Sequence, residues 1–172
     1  ETIKSNFDFY EPMTVHESSL SACIHSIMAS RIRNIGRAYE LYLRTARLDL
    51  DDYNHEVGDG LHITSMAGTW LAIVEGFGGM RIVDSKVQFH PLIPEKWTSY
   101  SFHARFRGIL FEVTVNHKSV IVRNLSENPL KIIVYGKEFQ VPGQEEKSVK
   151  KLKKYTYFKK NGKATSWSFS DC

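Results

Sequence analysis

Residues 64–86, TSMAGTWLAIVEGFGGMRIVDSK, hold the point at which one hydrophobic pattern gives way to another. Over residues 64–77 apolar side chains recur every three or four positions, which predicts an amphipathic helix ended by a pair of glycines. A few residues later apolar and polar side chains begin to alternate, and that period of two is typical of β-strands. The sequence therefore predicts a helical unit over residues 1–84 and a β unit over residues 85–172.

The helical unit contains two further predicted helices, over about residues 20–32 and 36–48, with apolar side chains at the same spacing. All three helices carry apolar side chains on more than one side, so each needs packing neighbours on both flanks. Three helices cannot supply all of them. Because the chain also opens at Glu1, without a methionine, we expect an upstream remainder, as a missing segment or as another chain, to provide the rest.

The β unit consists of short alternating segments separated by turn residues such as Arg107-Gly108 and Pro142-Gly143. Closely spaced short strands of this kind favour an antiparallel β-sandwich, jelly-roll-like in form. The predicted fold class is therefore α followed by β.

The composition excludes several classes of protein. A hydrophobic fraction of 42% with 12% aromatic residues is typical of a globular core and not of a disordered chain. No apolar run approaches the roughly 20 residues of a membrane span. The only cysteines, Cys23 and Cys172, exclude a disulfide scaffold and a cysteine zinc site and favour a reducing compartment. We therefore expect a soluble, cytoplasmic protein that does not contact membranes.

Charge is unevenly distributed between the two units. Residues 1–85 carry a net charge of −5, whereas residues 86–172 carry +9, much of it in the run from Lys147 to Lys163. Aromatic residues interleave with these lysines at Tyr155, Tyr157 and Phe158. That combination suits a single-stranded nucleic acid, but basic runs are more often solvated tails. A non-catalytic, basic β-domain that binds other molecules remains an alternative, with nucleic acid the less favoured partner.

Two segments place hydroxyl groups and a histidine directly before a predicted helix. Ser18 and Ser19 precede the first helix, and His62 lies shortly before Ser65 at the start of the third. Free N–H groups and the positive end of the helix dipole make such a position favourable for an anion. Each segment alone is consistent with ordinary helix capping, but two of them together favour a phosphate site.

Acidic residues near these segments allow more than one interpretation. Glu17 is compatible with a general acid or base, with a partner for a sugar hydroxyl, or with a charge at a helix start. Asp49, Asp51 and Asp52 fall where a helix ends, so we interpret them as solvated or helix-ending acids and predict no metal site.

Several motifs in order resemble the inverting disaccharide phosphorylases of glycoside hydrolase family 65. They are DFYEPMTVHESSLS, AYELYLRTARLDLDDYN and GLHITSMAGTW followed by GFGGMR, and they span about residues 6–81. The residues of these motifs are most similar to those of the family members that cleave maltose. The resemblance implies that the helices are the last ones of an (α/α)6 barrel and that a C-terminal β-domain follows.

The family's reaction implies a role for phosphate as co-substrate, with no cofactor. Phosphate attacks the anomeric carbon of an α-glucosyl disaccharide, here maltose, to give β-glucose 1-phosphate and glucose. By resemblance, the phosphate is surrounded by Ser18, Ser19, His62, Ser65 and the backbone of Met66, and the sugar site is lined by His16 and Glu17.

The same resemblance places the general acid upstream of these motifs, so we expect no catalytic residue in this chain and no activity from the chain alone. It also implies a homodimer of the complete enzyme. An α-glucoside hydrolase of the same family, in which water replaces phosphate, remains the alternative reaction.

Overall fold

The computed structural model describes residues 1–53 and 55–151, together with the backbone of residues 159–160 and 163–164. Residues 152–158 and 161–162 of the lysine run, including Tyr155, Tyr157 and Phe158, lie outside the described residues, and so does Cys172. What was predicted for them stays a prediction.

The first half of the chain is helical, as the spacing of its apolar residues predicted. Its α-helices are α1 (Thr2–Tyr10), α2 (Ser21–Arg31), α3 (Ile35–Ala46), α4 (Leu48–Asp51) and α5 (Ile63–Leu71), with 3₁₀ turns at Glu11–Met13 and Val57–Asp59. A π-helical turn, Ala72–Phe77, continues α5. The three predicted helices correspond to α2, α3 and the continuous α5 and π turn, whereas α1 and α4 were not predicted.

The helical half leaves many large apolar side chains exposed. Helix α2 packs against both α3 and the π turn, and Ala29 and Ala38 are fully buried there. More than half of each side chain is nevertheless exposed at Phe9, Tyr10, Met13, Val15, Ile24, Leu50, Tyr53, Leu61, Ile63 and Trp70. These are the apolar faces for which further packing neighbours were expected. No helix within residues 1–53 and 55–151 is both long and apolar enough to cross a membrane.

The second half forms two facing four-stranded sheets. One has the order β1 (Arg81–Val83), β2 (Lys86–Phe89), β6 (Leu130–Val134), β7 (Lys137–Val141); the other has the order β3 (Ser99–Phe106), β4 (Ile109–Asn116), β5 (Ser119–Asn124), β8 (Glu146–Lys150). A separate two-stranded pair joins β9 (Lys159–Lys160) to β10 (Lys163–Ala164). All neighbouring strands are antiparallel except β2 and β6, which run parallel. The predicted α-then-β architecture with a β-sandwich is confirmed.

Alternate side chains of the strands fill the space between the sheets. Phe111, Val113 and Val115 of β4 are fully buried and belong to the same cluster as Phe89 of β2 and Val134 of β6. This is the period of two that the sequence showed, with one face of each sheet apolar. The hairpin of β1 and β2 crosses the predicted boundary at residue 84.

An aromatic cluster joins the helical half to the sandwich. The ring of Trp97 lies 5.2 Å from Tyr42 of α3, 5.0 Å from Phe77 of the π turn and 5.6 Å from Tyr100 of β3, centroid to centroid. Edge-to-face pairs at these distances are favourable beyond the area they bury. The cluster therefore anchors α3 and the end of the helix that begins at Ile63 against the sandwich.

Candidate functional site

The two hydroxyl-bearing helix beginnings meet in space. Ser19, just before α2, and Thr64, in the first turn of α5, are 45 residues apart, yet their hydroxyl oxygens lie 3.2 Å from one another. Gly68 allows this approach, because a Cβ there would lie 2.9 Å from both the Cβ and the Sγ of Cys23 on α2. The two helix starts therefore meet at one polar surface, and the binding of phosphate to it stays a prediction.

Ser18 takes part in the same turn. It is exposed, and its hydroxyl oxygen accepts the N–H of Leu20 at 3.4 Å.

Asp49 holds His62 at the start of α5. One carboxylate oxygen accepts the backbone N–H of His62 at 3.0 Å, and the other pairs with Nδ1 of its ring at 2.6 Å. On the opposite side of the ring, Nε2 lies 3.3 Å from a carboxylate oxygen of Glu56. The hydrogen bond to Asp49, followed by the charges of both acids, raises the pKa of His62 above its ordinary value and favours the imidazolium.

The interpretation of Asp49 as a solvated or helix-ending acid was therefore wrong. Its side chain is only 13% exposed because it is turned toward His62. The hydrogen bond from His62 in turn lowers the pKa of the Asp49 carboxyl. Asp51 does have the kind of surface role that was expected, since it accepts hydrogen bonds from Arg47 one turn earlier.

Ser65 and Met66 differ from the other predicted phosphate ligands. The Ser65 side chain is 2% exposed and its hydroxyl donates to the Thr45 carbonyl at 2.8 Å. The amides of Ser65 and Met66 both donate to the carbonyl of His62. These internal partners are at odds with a direct role for the Ser65 hydroxyl or the Met66 amide, because each would have to give up a bond to serve a ligand.

The two residues predicted to line the sugar site have opposite surroundings. His16 is 8% exposed and has a left-handed backbone, with φ 59°. Its Nδ1 lies 2.9 Å from the hydroxyl of Ser21, and its carbonyl accepts a hydrogen bond from Arg44. Glu17, the next residue, is exposed. The buried histidine thus fixes the turn from which Glu17 projects.

Sequence reasoning missed a partly buried ionic cluster behind this turn. The carboxylate of Glu11 accepts hydrogen bonds from Nε and Nη2 of Arg37 at 2.8 and 2.5 Å, and the same oxygen lies 3.5 Å from Nε2 of His16. The rings of His16 and His25 stand edge to face at 4.6 Å. Burial raises the pKa of Glu11, but the hydrogen bonds and charge of Arg37 outweigh it and leave the pKa lowered. Glu11 and Arg37 are 26 positions apart in the sequence, so no local pattern could indicate this pair.

The same cluster has the ligand spacing of a cation site but lacks the negative charge that a cation needs. Glu11, His16 and His25 bring one ligand atom each to within 4.8 Å of the others, the one such group among the residues described. A divalent cation there would face the guanidinium of Arg37 across a single carboxylate oxygen. The residues present therefore do not fit a metal ion.

Comparisons with known proteins match both halves of the chain to consecutive domains of one family. Residues 1–71 match the glycosyl hydrolase family 65 central catalytic domain, and residues 80–141 match the C-terminal domain of that family. The chain belongs to glycosyl hydrolase family 65. Every predicted site residue falls within the part that matches the family 65 catalytic domain.

Known family 65 proteins include phosphorylases that are similar to this chain. The maltose phosphorylase of Bacillus subtilis (strain 168) is 50% identical over 147 residues, which is 86% of this chain and 19% of that protein. The alpha,alpha-trehalose phosphorylase of Thermoanaerobacter brockii is 44% identical over 138 residues, 80% of this chain and 18% of its own length. The chain thus spans about a fifth of the length of these relatives.

A solved structure shows the same fold. It is described as a kojibiose phosphorylase from the human microbiome, and it superposes with a TM-score of 0.83 at 38% identity. The match covers 90% of this chain and 23% of that one. Both the helices and the sandwich described above therefore follow the family 65 architecture.

Proposed function

We propose that this chain carries the phosphate-binding part of an inverting disaccharide phosphorylase that acts on an α-glucosyl disaccharide, with maltose as the substrate. Membership of family 65 and the names of the similar phosphorylases support the class of reaction. The 50% identity to a maltose phosphorylase, against 44% to a trehalose phosphorylase, supports maltose.

The reaction joins phosphate to the glucosyl unit. A phosphate oxygen attacks the anomeric carbon from the face opposite the leaving group, the bond from that carbon to the glycosidic oxygen breaks, and a carboxylic acid protonates the departing oxygen. The products are β-glucose 1-phosphate and glucose. By resemblance the acid lies outside this chain, and the residues here hold the nucleophile.

The observation that carries the proposal is the meeting of the two helix beginnings. The hydroxyls of Ser19 and Thr64 lie side by side, and the imidazole of His62 stands at the start of the same helix as Thr64. Hydroxyl donors, a helix N-terminus and an imidazolium are together suited to a phosphate dianion. Because phosphate already carries negative charge, the site has to orient it and needs no carboxylate base.

Glu17 contributes to the sugar side of the site. Its side chain is exposed next to the serine pair, on a turn that His16 and Arg44 hold in place. A carboxylate in that position accepts hydrogen bonds from sugar hydroxyls. His16, being buried, acts on the sugar through the position of Glu17.

Phosphate-dependent cleavage by the full-length protein tests the proposal. Maltose, trehalose and kojibiose are each incubated with and without phosphate, and glucose and glucose 1-phosphate are measured. We expect glucose 1-phosphate from maltose only when phosphate is present, and none from the 172-residue chain alone. Equal glucose release without phosphate would identify the hydrolase alternative instead.

A variant pair separates the site from the surrounding surface. His62→Ala should abolish phosphorolysis while leaving the circular dichroism spectrum unchanged. His55→Ala is the matched control, because His55 is 91% exposed and lies in the neighbouring loop. Full phosphorolysis by His62→Ala would contradict the proposal.

A further inference from the structure

We propose that Asp49 is a positioning residue that presents His62 to phosphate as a fixed imidazolium, and that Glu56 occupies the place of phosphate on this ring until phosphate displaces it. The inference rests on the proposed function, since it assigns roles to two acids around the same histidine. Neither acid belongs to the residues that the sequence had assigned to phosphate.

Asp49 restrains both the backbone and the ring of His62. Its two carboxylate oxygens bind the amide and Nδ1 of the same residue, at 3.0 and 2.6 Å. A two-point contact of this kind fixes the rotation of the ring and requires a proton on Nδ1. The other nitrogen, Nε2, is therefore directed away from α4, on the side where Glu56 lies.

The charged groups around His62 come from two elements. Asp49 belongs to α4, and Glu56 precedes the 3₁₀ turn at Val57–Asp59. The positive end of α5 opposes protonation of the ring, and both carboxylates favour it. The acids prevail, since the pKa of His62 lies above its ordinary value.

The two acids differ in how readily they can be displaced. The Asp49 side chain is 13% exposed and makes two hydrogen bonds, whereas the Glu56 side chain is 52% exposed and lies 3.3 Å from Nε2. A half-exposed ion pair contributes little to binding energy and exchanges with solvent ions. A phosphate oxygen that bonds to Nε2 needs the position that the Glu56 carboxylate takes. Asp49 therefore assists phosphate binding and Glu56 competes with it.

Three variants of the full-length protein test these opposite roles. In Asp49→Asn the amide can keep both contacts only if its oxygen accepts the His62 N–H and its NH₂ group donates to Nδ1, which leaves the ring neutral with its proton on Nε2. We expect KM for phosphate to rise about tenfold at neutral pH, because the hydrogen bond from His62 Nε2 to phosphate changes from a charged to a neutral one. The change in kcat should be smaller. In Glu56→Gln we expect KM for phosphate to fall by about two- to fivefold, because Asp49, the larger cause of the raised His62 pKa, remains while the competing charge on Nε2 is removed. Asp51→Asn is the matched control, since Asp51 lies on the same short helix and binds Arg47.

Two readouts distinguish positioning from a general loss of structure. Nitrogen-15 NMR of the imidazole should show that the pKa of His62 falls in Asp49→Asn and stays unchanged in Asp51→Asn. The defect in KM for phosphate should then shrink as the pH is lowered, because acid protonates the ring without help from Asp49.

The outcomes separate this inference from the proposed function. The inference is overturned if the titration of His62 is unchanged in Asp49→Asn, or if KM for phosphate rises in Glu56→Gln. In either case, phosphorolysis by the wild type would still support the proposed function. A shifted titration in a protein whose wild type shows no phosphorolysis would refute the proposed function and, with it, the role of both acids toward phosphate.

Discussion

Gly68→Ala should push apart the two helices that bring the hydroxyl groups together. The new Cβ would lie 2.9 Å from the Cβ and Sγ of Cys23, which is 1% exposed. Carbon atoms in contact prefer about 3.5–4.0 Å, so α5 has to retreat from α2 by about half an ångström or more. The Cys23 Cβ is fixed to its helix backbone and cannot turn aside.

The size of the effect follows from two opposing contributions. Overpacking a buried contact costs about 1–3 kcal/mol, and a clash with a fixed Cβ belongs in the upper half of that range. Alanine in place of glycine within a helix returns up to about 1 kcal/mol. We therefore expect the free energy of unfolding to fall by about 1–2 kcal/mol.

Equilibrium urea unfolding, followed by circular dichroism, measures this change, and a double-mutant cycle assigns its cause. Cys23→Gly removes both clashing atoms, so in that background Gly68→Ala should become neutral or stabilising. Cys23→Ala removes only Sγ and should give an intermediate value. An unchanged urea midpoint in Gly68→Ala, or the same loss in all three backgrounds, would refute the steric explanation of how the helix starts meet.

Three other perturbations have defined outcomes. Glu11→Gln should lower the free energy of unfolding by about 1–3 kcal/mol at neutral pH. Because Arg37 lowers the pKa of Glu11 in the folded state, this stabilisation is present above the ordinary carboxyl pKa and is lost as the pH falls through the folded-state pKa. The urea midpoints of wild type and variant should therefore converge in acid. Asn124→Ala should cost about 3 kcal/mol in the same assay, since its fully buried amide donates to three carbonyls; a loss below about 1 kcal/mol would contradict this. Trp97→Ala should lower the free energy of unfolding by about 3–5 kcal/mol. It should also split thermal unfolding into two calorimetric transitions, because the ring joins the helical half to the sandwich. A single transition would show that other contacts are enough to couple the two halves.

Local patterns were sufficient for most of the secondary structure. Helices α2 and α3 each bury a set of side chains at helical spacing, and the strands alternate between buried and exposed positions. Such periodicity involves only about a dozen neighbouring residues, so it can be recognised without knowledge of the tertiary structure. Helix α1 was not predicted, and among its nine residues, TIKSNFDFY, only Phe7 is buried.

The partners of the polar residues could not be found in the same way. Asp49 and His62 are 13 residues apart, and Glu11 and Arg37 are 26 apart, with no repeating spacing to connect them. The aspartate at the end of a helix had an ordinary local explanation. Only the packing of α4 beside the start of α5 gave it a different role.

What the sequence by itself determined is the succession of helices and strands, the family, and the presence of hydroxyls and histidines before two helices. Tertiary structure alone decided which of those groups face one another: Ser19 meets Thr64, whereas the Ser65 hydroxyl turns inward to a carbonyl. The physical reason is the separation along the chain of the residues that determine each feature. Periodicity is set by the backbone over a few residues, but the direction of a side chain at a helix start depends on how closely two helices pack, and here a missing Cβ at Gly68 sets that distance.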